Sequence, residues 1–184
     1  MCNYRELSKI SVNMTEIERS DYLREKYIVV VDGKSDSTIG KLSDNKKESE
    51  IYDILLEYGE RQNIFKEYYM IGDTNLSGYF SKSNLKESLH KCGNMYYFPY
   101  VIFNMNNLLQ KSIKIEEHFD IKGGNAIKMI HELISLLKLK SKEILIVKIT
   151  IKELNGKIAN SIYSIANFEI IKKRRDHQSP SNIR

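Results

Sequence analysis

SIKIEEHFDIKGGNAIKMIHELISLL, residues 112–137, is the stretch on which the fold turns. Its first nine residues alternate, with Ile113, Ile115, Glu117 and Phe119 on one face, and predict a strand. Gly123 and Gly124 then make a turn. Ala126, Met129, Ile130, Leu133, Leu136 and Leu137 follow at the spacing of one helical face, which predicts a helix beginning at once after the glycines. Two glycines at such a junction leave backbone N–H groups uncovered at a helix N-terminus, a ready seat for an anion such as pyrophosphate. The loop is neither a Walker A sequence nor a dinucleotide fingerprint, since it has no GK[ST] and no third glycine.

Working outward, Ile144–Ile151 (ILIVKITI) is apolar on both faces at its start and predicts a strand deep in a sheet. Ile158, Ile162, Ile165 and Ala166 form a second helical stripe, and Phe168–Arg174 closes the chain as a strand. Toward the N-terminus, Tyr27–Val31 is a β-branched run ended by the turn pair Asp32-Gly33, and residues 38–42 are expected to pair back with it. Ile51, Ile54, Leu55, Tyr58, Phe65 and Tyr69 predict a helix between about residues 46 and 69. Asn84 with Glu87 has capping-box spacing, and Leu85, Leu89 and Cys92 share a face up to Gly93. Met95–Phe103 is aromatic and β-branched and reads as a strand, with Pro99 at an edge or bulge. Strands alternating with helices predict an α/β or α+β domain with a mixed, mostly antiparallel sheet flanked by helices.

The 184 residues suit a single domain, with 1–25 as an N-terminal extension, 26–171 as the core and 172–184 as a basic tail. Hydrophobic residues at 41% and charged residues at 29% are ordinary for a globular chain, which excludes wholesale disorder. No apolar run is long enough to cross a bilayer and the N-terminus has no secretory pattern, so a cytoplasmic protein is expected. Four of the five units of net positive charge lie from Lys172 onward, so the basicity is a tail effect, and a nucleic-acid contact is expected only through that tail. Cys2 and Cys92 cannot supply a four-ligand zinc site, and His90, His131 and His177 lack ligand spacing, so no metal is expected.

The order of elements in residues 112–172 resembles the GNAT (Gcn5-related) N-acetyltransferase family. Gly124-x-Ala126 stands at the G-x-G/A positions of that family's pyrophosphate loop. Asn155, Ala159 and Tyr163 fall near its Asn, Ala/Ser and Tyr, and Tyr163 to Phe168 keeps its five-residue step. Ile121 departs from the usual Arg or Gln, the step from Asn155 to Ala159 is one residue longer, and the family's last strand has no counterpart. The resemblance implies an acyl-CoA N-acyltransferase-like fold, acetyl-CoA as co-substrate and transfer to a primary amine of a small molecule or protein. It implies that Gly123, Gly124, Asn125, Ala126 and Asn155 bind the cofactor and that Tyr163 is the general acid.

Glu117 is the candidate base, because the apolar column of its strand would bury it and raise its pKa toward neutrality; a paired or exposed strand carboxylate is the other reading. The competing class is a non-catalytic GNAT-like or other α/β module that binds a protein or nucleic-acid partner. The amine acceptor stays open, and the aromatic stretch 95–103 offers an edge for a homodimer.

Overall fold

The computed structural model describes residues 27–31, 47–72, 74–120, 126–156 and 160–171. Strand β1 is Ile28–Val30, helix α1 is Glu48–Arg61, and strands β2 (Tyr68–Met70) and β3 (Ser77–Tyr79) form a short hairpin. Helices α2 (Lys82–Lys91), α3 (Phe98–Phe103) and α4 (Met105–Gln110) follow. The chain then runs as four successive strands, β4 (Ile113–His118), β5 (Ile127–Lys138), β6 (Ile144–Leu154) and β7 (Asn160–Ile171). The class is α+β, with a curled, mixed sheet flanked by helices.

The seven strands take the order β1-β5-β6-β7-β3-β2, and β4 shares the outer edge of β5 with β1. Strands β4 to β7 are an antiparallel meander, whereas β1 joins β5 and β3 joins β7 in parallel. Residues 38–42, expected to pair with β1, lie outside the described residues. Among the described residues, no helix is long and apolar enough to cross a membrane.

Four expectations from the sequence are corrected, the last of them the length of α1. The helix expected over 126–137 is strand β5. Its apolar residues fit a helical face, yet they also fit a period of two, and Leu133, Ser135, Leu137 and Leu139 are the buried column. The decisive cause is tertiary: β6 is a strongly β-forming run that needs a neighbour on each side, and β5 pairs with it along eleven matched positions. Of the stripe expected as a second helix, Ile162, Ile165 and Ala166 are part of a strand, β7, on the far side of β6, and Ile158 lies outside the described residues. Conversely, Met95–Phe103 contains helix α3. Pro99 sits in its first turn, where a missing N–H costs nothing, and Phe98, Tyr100, Val101 and Ile102 are buried.

The helix expected from about residue 46 to 69 is correct only in its first part. Helix α1 buries Ile51 and Leu55 and places Glu48 and Glu50 at the positive end of the helix dipole, but it ends at Arg61, and Tyr69 stands instead in β2, where it pairs with β3. Helix α2 is capped one turn earlier than the sequence suggested. Ser81 accepts from the Asn84 N–H while the Asn84 side chain accepts from the Ser81 N–H. The odd-numbered side chains of β5 and β6, among them Leu133, Leu137, Val147 and Ile149, meet the helices in one core. The even-numbered ones, such as Glu132, Lys148, Thr150 and Lys152, stand on the opposite face and stay partly exposed.

Candidate functional site

That opposite face carries a shallow, open cleft of about 450 Å³. Strand β4 and the residues after it supply His118 and Asp120, and β5 supplies Ile127, Ile130 and Glu132. Strand β6 supplies Thr150 and Lys152, β7 supplies Tyr163, and the end of α2 supplies Lys91. The registers explain why these meet. His118 lies opposite Ile130, Ile130 opposite Lys152, and Lys152 opposite Ser161, so one row crosses four strands. In the next row Glu116 faces Glu132, which faces Thr150.

Tyr163 stands at the β7 end of the cleft, where α2 lies along the strand. The Ile165 N–H donates to Ser88 Oγ at 3.0 Å, and Asn84 Nδ2 donates to the Tyr163 carbonyl at 3.5 Å. The Tyr163 hydroxyl donates to Glu87 at 2.9 Å, and the Lys91 ammonium pairs with the same carboxylate at 2.9 Å. Two ammonium groups approach the Tyr163 ring, Lys152 at 3.6 Å and Lys91 at 4.1 Å from its centroid.

The hydrogen bond from Lys91, with that from Tyr163, holds the Glu87 carboxyl below its ordinary range. Burial works against the charge on Lys91, but the bonds to Glu87 and Tyr163 outweigh it and leave the ammonium above its ordinary value. Glu132 is bridged by Lys148 at 2.6 Å. Lys152 has no carboxylate within ion-pair distance among the described residues, so its charge is directed at the ring and the cleft.

The residues nominated from the sequence are distributed unevenly around this cleft. Tyr163 lines it, on a strand rather than a helix. Glu117 does not. It projects from β4 with its side chain half exposed, receives a hydrogen bond from Lys114 at 2.7 Å and lies 3.6 Å from His131 Nδ1. The Lys114 hydrogen bond lowers its pKa, the reverse of the expected rise, because no apolar neighbour buries the carboxylate. Ala126 is exposed and leads directly into β5, so among the described residues no helix N-terminus follows the glycine loop. Asn155, in the turn after β6, donates its N–H to the Ala126 carbonyl at 3.1 Å, which places these two nominated residues side by side. Gly123, Gly124 and Asn125 lie outside the described residues.

The sequence reading nominates none of Glu87, Lys91, His118, Glu132, Thr150 and Lys152. One signal for them was legible. Lys148, Thr150 and Lys152 recur at every second position of an otherwise apolar strand, a polar column in the middle of a sheet. His131 is buried between Glu117 and Glu153, with Nε2 at 3.3 Å from Glu153, and serves the strand-to-strand framework on the helix-facing side.

No family model, curated protein or solved structure matches this chain.

Proposed function

We propose that the cleft binds single-stranded RNA, with backbone phosphate at Lys152 and Lys91 and bases against the apolar floor of Ile127 and Ile130. The observation that carries this reading is the pair of ammonium groups gathered on the Tyr163 ring. The ring holds two cations close together on a sheet face, and among the described residues the one on Lys152 has no carboxylate within ion-pair distance. A phosphate oxygen supplies the missing partner. The open shape favours an extended polymer over a cofactor, which needs most of its surface enclosed. Cations beside apolar side chains suit a strand whose bases are unpaired.

The test is fluorescence anisotropy of a short labelled single-stranded RNA titrated with the full-length protein at several salt concentrations. Affinity should fall as salt rises, and Lys152→Glu should weaken binding about ten-fold or more by reversing one phosphate contact. Equal binding by the variant would remove the cleft from the reading and leave the basic residues after Lys172 as the contact.

A second reading is acetyl transfer from acetyl-CoA, with Tyr163 as general acid on an acyl-CoA N-acyltransferase-like fold. It is favoured by one observation, the Asn155–Ala126 hydrogen bond that joins two residues of the cofactor set. It has lost the helix N-terminus that would have held the pyrophosphate, because β5 stands there. Calorimetric titration with acetyl-CoA, with Gly124→Glu as control, separates the two. Heat that the variant abolishes supports acetyl transfer, and silence from a folded protein that binds RNA disposes of it.

A further inference from the structure

The cleft holds more than a binding surface requires. His118, Glu132, Thr150 and Lys152 lie on adjacent rows of three neighbouring strands, and all line the same open volume. His118 faces Ile130 across the β4–β5 pair, so Glu132, two residues along β5, is its diagonal neighbour. Diagonal neighbours in an antiparallel pair lie about 7–8 Å apart, with their Cβ atoms somewhat closer. That separation admits one phosphodiester between an imidazole and a carboxylate, with each side chain reaching an oxygen on opposite sides of the phosphorus.

We propose, building on the RNA-binding reading, that this cleft cleaves RNA by internal transesterification. The Glu132 carboxylate takes the proton of a ribose 2′-hydroxyl, and the freed oxygen attacks the adjacent phosphorus. A bond forms between the 2′-oxygen and phosphorus, and the bond from phosphorus to the 5′-oxygen breaks. The leaving 5′-oxygen takes a proton from the His118 imidazolium. The products are a 2′,3′-cyclic phosphate on one fragment and a 5′-hydroxyl on the other. Glu132 ends with one proton more and His118 with one fewer, and exchange with water restores both.

The roles follow from what each group can do. Imidazole is the side chain suited to giving up a proton near neutral pH, and His118 is exposed at the end of its strand, where a leaving group can reach it. Glu132 is fixed in place by Lys148 at 2.6 Å, and Glu87 is already occupied by Tyr163 and Lys91. Lys152, one position along the His118 row beyond Ile130, meets the charge that grows on the non-bridging oxygens. RNA carries its own nucleophile, so an acid, a base and a cation suffice, and the cleft lining includes all three.

The experiment compares two labelled oligonucleotides of one sequence, the natural RNA and its fully 2′-O-methylated form, which has no nucleophile. The expected result is that both bind, that only the natural RNA is cut, and that mass spectrometry finds 2′,3′-cyclic phosphate ends. His118→Asn and Glu132→Gln should each slow cleavage about a hundred-fold, the usual worth of one general acid or base. Circular dichroism confirms that each variant is folded. Binding of the methylated strand without cleavage of the natural one overturns this inference and leaves the binding reading standing. Failure to bind either strand overturns both. Cleavage at an unchanged rate in both folded variants overturns the assignment of acid and base.

Discussion

The hydroxyl of Tyr163 donates to the carboxylate of Glu87 at 2.9 Å, tying β7 to α2 at the rim of the cleft. Hydroxyl and ring have separable roles, since the hydroxyl holds Glu87 while the ring receives Lys91 and Lys152. Tyr163→Phe keeps the ring, and the lost bond is to a solvent-accessible carboxylate, so it should cost under about 1 kcal/mol in a urea titration. RNA affinity should then stay within about two-fold. Tyr163→Ala removes the post that gathers the two ammonium groups and should weaken RNA binding about five-fold or more. Equal losses of affinity in the two variants would transfer the role from the ring to the hydroxyl.

Tyr69 predicts an alkaline limit to stability. Its hydroxyl is buried and donates to the Ile64 carbonyl at 3.0 Å, and burial first, then the charge of Glu67, pushes its pKa up to about 12. The folded state therefore holds the proton more tightly than the unfolded chain, whose tyrosines titrate near 10. The resulting stability is fully present below pH 10 and is lost as pH rises from there through about 12. Tyr69→Phe has no proton to lose at that position. Urea midpoints of the two proteins should converge across this window, with wild type the more stable by about 1 kcal/mol at neutral pH. A constant gap would refute the assignment.

The sequence disclosed the strands whose signal is local and misread those whose signal depends on neighbours. Strands β1, β4 and β6, helix α2 and the first part of the helix expected from residue 46 lie where periodicity put them, because Tyr27–Val31 and ILIVKITI are dense in β-branched residues and Ile51 and Leu55 recur at helical spacing, whereas Tyr69 left that helix for β2. In IKMIHELISLLK both periods fit, and only pairing with β6 decides between them. A helical reading of β5 hides the row from His118 to Lys152, since its members are neighbours only through strand register. Tyr163 was nominated by resemblance and does line the cleft, but Lys91 and Glu87 reach it from a helix more than seventy residues earlier in the chain. Counting charge along the chain also hid the lysines, because Lys91 and Lys152 converge in space inside a core of nearly balanced charge.

Cys92 should be a slow thiol. It caps the end of α2, half buried against the core, and burial raises its pKa to about 11, only partly offset by a hydrogen bond from the Asn94 backbone. At pH 8 the reactive thiolate is then about a hundred-fold scarcer than in an unperturbed cysteine. Iodoacetamide should label Cys92 that much more slowly in the folded protein than in denaturant, measured in a Cys2→Ser background so that a single thiol is followed. Rapid labelling of the folded protein would mean that α2 opens at its end.

Two glycines with positive φ separate backbone strain from lack of space. Gly156, in the turn after β6, has φ of 70° and nothing within 4 Å of where a Cβ would stand. Gly72, after β2, has φ of 48°, and a Cβ there would lie 2.0 Å from the Ser112 carbonyl oxygen. Its N–H also donates to the Leu109 carbonyl at 2.8 Å, so the backbone cannot swing away without breaking the join between β2 and the end of α4. Gly156→Ala carries only the left-handed penalty of about 1–2 kcal/mol. Gly72→Ala adds a clash against backbone, which cannot rotate aside as a flexible side chain does, for a total of about 3 kcal/mol or more. Urea midpoints of the two variants should therefore fall in that order. Equal shifts would show that the chain near Ser112 yields to the methyl group, and that the contact between Gly72 and Ser112 is looser than the geometry requires.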